Sequence, residues 1–233
     1  MSKSISTGHI ISSNTVSEEN YIKTIYKLEH ELEDEVTMGD LAGHLATKAS
    51  SVTSMVRKLA DKELVNYSRY RGVTLTAEGE RIAVKILRKH RLWELFLFRI
   101  LDFRWDEIHE IAEELEHIKS DALVERIDFF LNYPRRDPHG DPIPDQNGNL
   151  PENKSLPLSK QIKGYKGTVV AVRDDNSDLL AYLTRIGVQP GTRIEILELN
   201  DYDNSFEIKL NDLNEVQISN KVAANILTSD NEL

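Results

Sequence analysis

From about Ser17, apolar side chains recur at helical spacing: Tyr21, Ile22, Ile25, Tyr26 and Leu28 line one face of a helix for which Ser17 is the expected N-cap. This helix should end near the acidic turn Glu31 to Glu35. A second helix is expected after the cap Thr37, with Met38, Leu41 and Leu45 on one side, before a break at Ala46, Thr47 and Lys48. In the third, Val52, Met55, Val56 and Leu59 are apolar at i, i+3, i+4 and i+7, while Ser50, Ser51, Thr53, Ser54, Arg57 and Lys58 take the other faces. Leu64 to Tyr67 and Val73 to Thr76 then read as two short strands around Arg69, Tyr70 and Arg71. Helix, tight turn, helix and basic hairpin is the order of a winged helix-turn-helix.

A long helical pattern runs from Ala77 to about Leu101, followed by helices expected over Trp105 to Ile118 and Ser120 to Leu131. The stretch from Tyr133 to Leu158 holds six of the seven prolines and reads as a linker or an extended ordered loop. Beyond it, strands are expected at Gly167 to Val172, Thr192 to Leu199, Ser205 to Leu210 and Glu215 to Ile218, with one helix from Asp178 to Ile186, the pattern of an SH3-like barrel. The expected fold is therefore mainly α with a small β part. It comprises a flexible arm (1–15), a winged helix-turn-helix domain (16–84), a helical domain with the Pro-rich linker (85–157), and an SH3-like domain (158–233).

Composition narrows the chemistry. The chain has no cysteine, so a metal would have to be held by nitrogen and oxygen. No apolar run is long enough to span a membrane and the first thirty residues lack signal-peptide order, so a soluble, cytoplasmic protein is expected. The net charge of −10 argues against indiscriminate nucleic-acid coating, but charge is unevenly placed. Lys48 to Arg71 carries six basic against two acidic side chains, whereas Asp106 to Arg126 carries eight acidic against two basic. The first segment suits DNA and the second suits cations. Thr47, Lys48, Ser50, Ser51, Thr53, Ser54, Arg57 and Lys58, together with Arg69 and Arg71 of the hairpin, are the candidate DNA-contacting residues, since small hydroxyl and basic side chains approach base edges and phosphates.

Glu113, Glu116 and His117 stand at i, i+3 and i+4 and share a helix face, with His109 one turn earlier. His90 and Glu94 form a second i, i+4 pair on the preceding helix, so two facing helices offer a set of nitrogen and oxygen donors. A bundle metalloenzyme would need Glu-x-x-His on two helices, and beyond Glu114 to His117 the candidate helices hold no second copy. A winged-helix regulator that senses an organic ligand is the other alternative.

Glu19-Asn20-Tyr21-Ile22-Lys23, Arg88-Lys89-His90-Arg91-Leu92-x-Glu94, His109-x-x-x-Glu113-x-Leu115-Glu116-His117 and Pro138-His139-Gly140-Asp141-Pro142-Ile143-Pro144 together resemble the diphtheria toxin repressor family, in its three-domain form. The resemblance covers nearly everything from Val16 onward. It implies a metal-dependent repressor of metal-uptake genes that binds a palindromic double-stranded operator as a homodimer when loaded with Mn(II) or Fe(II). It further implies one metal site of His90, Glu94 and His109, and another of Glu113, Glu116, His117 and Asn20. Asp178, or its neighbours Asp174 and Asp175, would complete the first. Asn20 stands where iron-responsive members have Met and manganese-responsive ones Asp, and Lys23 stands where members with a two-metal cluster have Glu. Glu113 stands where iron-responsive members have Cys, which favours Mn(II) because carboxylate oxygen is a harder donor than thiolate.

Overall fold

Thr15, not Ser17, starts the first helix: its hydroxyl accepts from the Glu18 N–H while the Glu18 carboxylate accepts from the Thr15 N–H, a reciprocal capping box. The computed structural model describes residues 14–32, 35–68, 72–151, 155–173 and 176–230. Arg69, Arg71, Asp174, Asp175 and residues 1–13 of the expected arm lie outside them. The chain divides at the Val84–Lys85 junction into an N-terminal and a C-terminal unit.

The N-terminal unit holds α1 (Val16–Glu31), α2 (Met38–His44), α3 (Ala49–Asp61), β1 (Val65–Ser68) and β2 (Gly72–Leu75). Thr37 caps α2 as expected, through a second capping box with Asp40. Between α2 and α3 the chain turns at Ala46 with φ of 46°, and α3 begins after Lys48 without a side-chain cap. The apolar stripes of the three helices meet in a core of Ile22, Ile25, Leu41, Val52, Val56 and Leu59, all fully buried. β1 and β2 pair antiparallel, and Val36 bridges to Val73 beside them. Gly72 is required at that crossing, because it has φ of +78° and a Cβ would lie 2.4 Å from the Val36 carbonyl oxygen.

α4 (Ala77–Ile100) spans the junction between the units. In the C-terminal unit its second half packs with α5 (Ile108–Leu115) and α6 (Asp121–Phe130) around Leu92, Leu95, Ile108, Ala112, Val124 and Ile127. The helix expected from Trp105 begins only at Ile108. Trp105 is instead drawn into the apolar core of the β region, where its indole N–H donates to Thr184 Oγ1 at 2.6 Å. Residues 133–151 of the Pro-rich stretch form a loop fastened to α4: Arg88 and Arg91 donate to the carbonyls of Pro144 and Pro142 at 2.6 and 2.5 Å, and Ile143 is buried in the helical core.

The β region contains β3 (Leu156–Pro157), β4 (Lys166–Val172), α7 (Ser177–Ile186), β5 (Arg193–Leu199), β6 (Phe206–Leu210), β7 (Asn214–Ile218), α8 (Asn220–Asn225) and β8 (Ile226–Ser229). Its six strands are antiparallel neighbours in the order β3-β8-β4-β5-β6-β7. The sequence reading omitted β3, α8 and β8. α8 is one and a half turns capped by Ser219, too short for periodicity to register, and β8 owes its place between β3 and β4 to long-range pairing with both.

Candidate metal centre

On α4, one helical turn brings His90 and Glu94 onto the same buried face, opposite the side chains of α5. His90 Nε2 lies 3.0 Å from Glu94 Oε1 and 3.2 Å from His109 Nδ1, and its Nδ1 lies 2.7 Å from Glu116 Oε2. His90 therefore belongs to two donor groups at once, His90–Glu94–His109 and His90–Glu113–Glu116, and in each the donor atoms lie within 4.8 Å of one another. His109 Nε2 is 3.5 Å from Glu113 Oε1, and His117 Nε2 is 3.6 Å from Glu116 Oε1. The structure thus brings together all six of the expected residues on α4, α5 and the turn after α5. Rather than forming two separate sets, they share His90.

A third group was missed: Glu94, Asp137 and His139. Asp137 and His139 come from the Pro-rich loop, where a search for helical spacing finds nothing. Their signal was the compact Asp-Pro-His-Gly-Asp run, in which two donors flank a proline beside a turn-forming glycine. The loop is shaped by the Asp137 carboxylate, which accepts from the N–H groups of His139 and Asp141, both at 2.9 Å. His139 donates from Nε2 to the Trp105 carbonyl at 2.7 Å, which leaves Nδ1 facing Glu94 Oε2 at 3.7 Å.

Charge is concentrated in this cluster. Burial opposes ionisation of Glu94, but His90, His109 and His139 outweigh it and hold the carboxyl well below the usual range. Burial, reinforced by Asp141 and Glu94, pushes the Asp137 carboxyl up to about 8. His139 is lowered by burial but raised more strongly by Glu94 and Asp137, to about 9. The cluster thus binds protons near neutral pH in places where a cation would satisfy the same carboxylates.

The donors are buried and partly buried nitrogens and carboxylate oxygens without a thiolate, a set that fits a divalent transition-metal ion. Asn20 belongs to α1 of the N-terminal unit, with its amide oxygen buried and without a hydrogen-bond partner among the described residues. Asp178 is exposed in the first turn of α7, where its N–H donates to the capping Asn176, and it joins none of the donor groups among the described residues.

The chain matches known proteins over most of its length. Residues 14–73 match the family described as "Iron dependent repressor, N-terminal DNA binding domain", residues 76–145 its "metal binding and dimerisation domain", and residues 156–229 the "FeoA domain". A solved "Manganese-dependent transcriptional repressor complex with manganese" superposes with a TM-score of 0.85 at 35% identity, covering 92% of this chain and all of that one. The chain belongs to the diphtheria toxin repressor family. The "HTH-type transcriptional regulator MntR" of Bacillus subtilis is 38% identical over 119 residues, which is 51% of this chain and 82% of that protein. The "Iron-dependent repressor IdeR" of Mycobacterium leprae is 29% identical over 192 residues, 76% of this chain and 82% of that protein. The protein is accordingly a metal-dependent transcriptional repressor and not an enzyme.

In this repressor, α3 presents Ser50, Ser51, Ser54, Arg57 and Lys58 to solvent, and Lys48 at its N-cap is also exposed. Thr47 and Thr53 are half-buried, and the Thr53 hydroxyl donates back to the Ala49 carbonyl at 2.9 Å. Lys58 reaches toward α1, with its Nζ 3.2 Å from Glu18 Oε1. No helix among the described residues is long and apolar enough to cross a membrane.

Proposed function

We propose that this repressor is a cytoplasmic Mn(II) sensor that binds a palindromic operator as a homodimer and controls metal-uptake genes, with Fe(II) as the second candidate metal. The observation that carries the choice of metal is the donor set: Glu94, Glu113, Glu116 and Asp137 supply hard oxygens beside His90, His109, His117 and His139, and the chain has no cysteine. Asn20, carried over from the resemblance, would add an amide oxygen without charge.

A bound divalent ion would supply positive charge to the clustered carboxylates. The protein's part is to hold those carboxylates in place: α4 fixes Glu94, α5 fixes Glu113 and Glu116, and the Asp137–His139 turn is held by backbone N–H donors. Metal that favours the DNA-competent arrangement about 100-fold shifts the equilibrium by about 2.7 kcal/mol. In the domain scheme proposed here, 16–84 binds DNA, 85–157 binds metal and dimerises, and 158–233 supports the metal loop. Phe129, Phe130 and Tyr133 are more than half exposed on and just after α6, an apolar face that a second copy would cover.

Operator contacts are assigned to Thr47, Lys48, Ser50, Ser51, Thr53, Ser54 and Arg57, with Arg69 and Arg71 of the hairpin. Anaerobic operator binding with Mn(II) and Fe(II) at matched free concentrations tests the reading. Manganese should switch binding on. A chain that answers iron and ignores manganese would defeat the hard-donor argument.

A further inference from the structure

Glu18 occupies an unusual position for a first-turn glutamate. Helix N-termini favour acidic residues, but on the surface; here the side chain is completely buried, with Oε2 accepting from the Thr15 N–H. Its Oε1 lies 2.7 Å from Lys62 Nζ and 3.2 Å from Lys58 Nζ. Both lysines come from the C-terminal end of α3, Lys58 in the last turn and Lys62 at the C-cap. Lys58 follows the exposed Ser51 and Ser54 at i+7 and i+4, so it shares their solvent-facing side of the helix.

We propose that Glu18 is a specificity-determining residue that holds Lys58 and Lys62 away from DNA phosphates. The inference rests on α3 being the helix that faces DNA. An ammonium group that swung outward to a phosphate would give up its ion pair with Glu18, so both are held at the carboxylate. That leaves Lys48 and Arg57 as the exposed basic residues of α3 and its N-cap that are not held at Glu18 and can contact phosphate. Lysine contacts to phosphate are sequence-blind and raise affinity for any duplex. Restraining two of them keeps non-operator binding weak, in line with the net charge of −10. A repressor that must leave DNA when metal is scarce requires this.

The test uses the full-length, Mn(II)-loaded protein and compares operator with non-operator duplexes across a salt series. Glu18→Gln removes the charge but keeps a side chain able to complete the capping box. It should tighten non-operator binding about 10-fold at low salt, steepen the log–log salt slope by roughly 1 to 2 as about 0.9 is added per phosphate, and lower the operator preference. The triple variant Glu18→Gln, Lys58→Gln, Lys62→Gln should return the slope to the wild-type value. Equal weakening on both duplexes with an unchanged slope would show a purely structural role and overturn the proposal. Lys58→Gln alone keeps the Lys62–Glu18 pair, so it also decides the matter if Glu18→Gln folds poorly. Its slope should match wild type, and a loss of about 1 means that Lys58 already contacts phosphate, which sinks the idea. Arg57→Ala serves as the independent control on α3: it must flatten the slope, and if it does not, the DNA-facing assignment itself falls and takes this inference with it.

Discussion

The carbonyl oxygen of Trp105 accepts a hydrogen bond from His139 Nε2 at 2.7 Å, and the two rings stack with centroids 5.7 Å apart. The same tryptophan is buried in the core of the β region and donates to Thr184. One residue therefore orients a candidate metal donor and anchors it to a separate apolar core. Trp105→Ala should destabilise the protein by about 3–5 kcal/mol in urea melts and weaken metal binding. Trp105→Phe should cost only about 1 kcal/mol, because the ring persists and Thr184 still donates to the Leu180 carbonyl. Equal metal affinity in wild type and Trp105→Ala, both folded, would separate the anchor from the site.

Gly140 gives the same coupling a backbone form. Its φ is +88°, and a Cβ there would lie 1.9 Å from the Val170 carbonyl oxygen of β4. Beside it, the Val172 N–H donates to the His139 carbonyl at 2.8 Å. Gly140→Ala should shift the loop off β4, cost more than about 1 kcal/mol, and lower metal affinity without touching a donor. Calorimetric metal titration of a variant shown to be folded reads this directly.

How far these relationships were legible in the sequence depends on their range. The faces of α1, α3 and α4 follow from apolar spacing, and the donors on α4 and α5 from i, i+3 and i+4 intervals, because a helix fixes those neighbours locally. Nothing local announces that Trp105 leaves α5 to enter another core, or that Asp137 and His139 fold back onto Glu94. These depend on contacts 34 and 79 residues apart in the chain, His139 with Trp105 and Trp105 with Thr184. Ser17 was preferred as the N-cap because it adjoins the charged first turn; Thr15 prevails because Glu18 sits three residues beyond it and can close the capping box. The i, i+4 spacing of His90 and Glu94 gives a shared face but not its depth, and both side chains are buried.

That burial changes the mutation to make. Truncating His90 would remove the partner 2.7 Å from the wholly buried Glu116 and open a gap beside it, so loss of response could not be told from loss of fold. Glu94→Gln keeps shape and hydrogen-bonding capacity while removing the charge that His90, His109 and His139 face. Metal-dependent operator binding should fall by at least the roughly 10–100-fold that even outer partners of ligands contribute. A wild-type response in this variant would remove Glu94 from the site.

Acid stability should report on Glu18. Burial acts to raise its pKa, but the hydrogen bonds from Lys62, the Thr15 N–H and Lys58 outweigh it and lower the value from 4.5 to about 2. A depressed carboxyl contributes stability that is complete above the unfolded value and is lost as pH falls through the folded one. Wild type should exceed Glu18→Gln in stability at pH 7, with the gap closing between about pH 4.5 and 2. Urea melts in chelator at several pH values measure the gap, and a gap independent of pH would contradict the ion-pair origin.

Metal preference should turn on Glu113. Its carboxylate lies 3.5 Å from His109 Nε2 and groups with His90 and Glu116, at the position where the resemblance to the family implies a cysteine in iron-responsive members. A thiolate there would exchange a hard donor for a soft, polarisable one. Glu113 is only partly buried, with 35% of its side chain exposed, so Glu113→Cys should be tolerated by the fold. Absolute affinities will still follow the usual divalent order, so the informative quantity is the ratio of Mn(II) to Fe(II) needed for half-maximal operator binding under anaerobic conditions. Wild type should favour manganese in that ratio more than the cysteine variant does. Because both proteins share every other donor, an unchanged ratio would mean that selectivity arises from the geometry set by α4, α5 and the Asp137–His139 loop rather than from the softness of this one ligand.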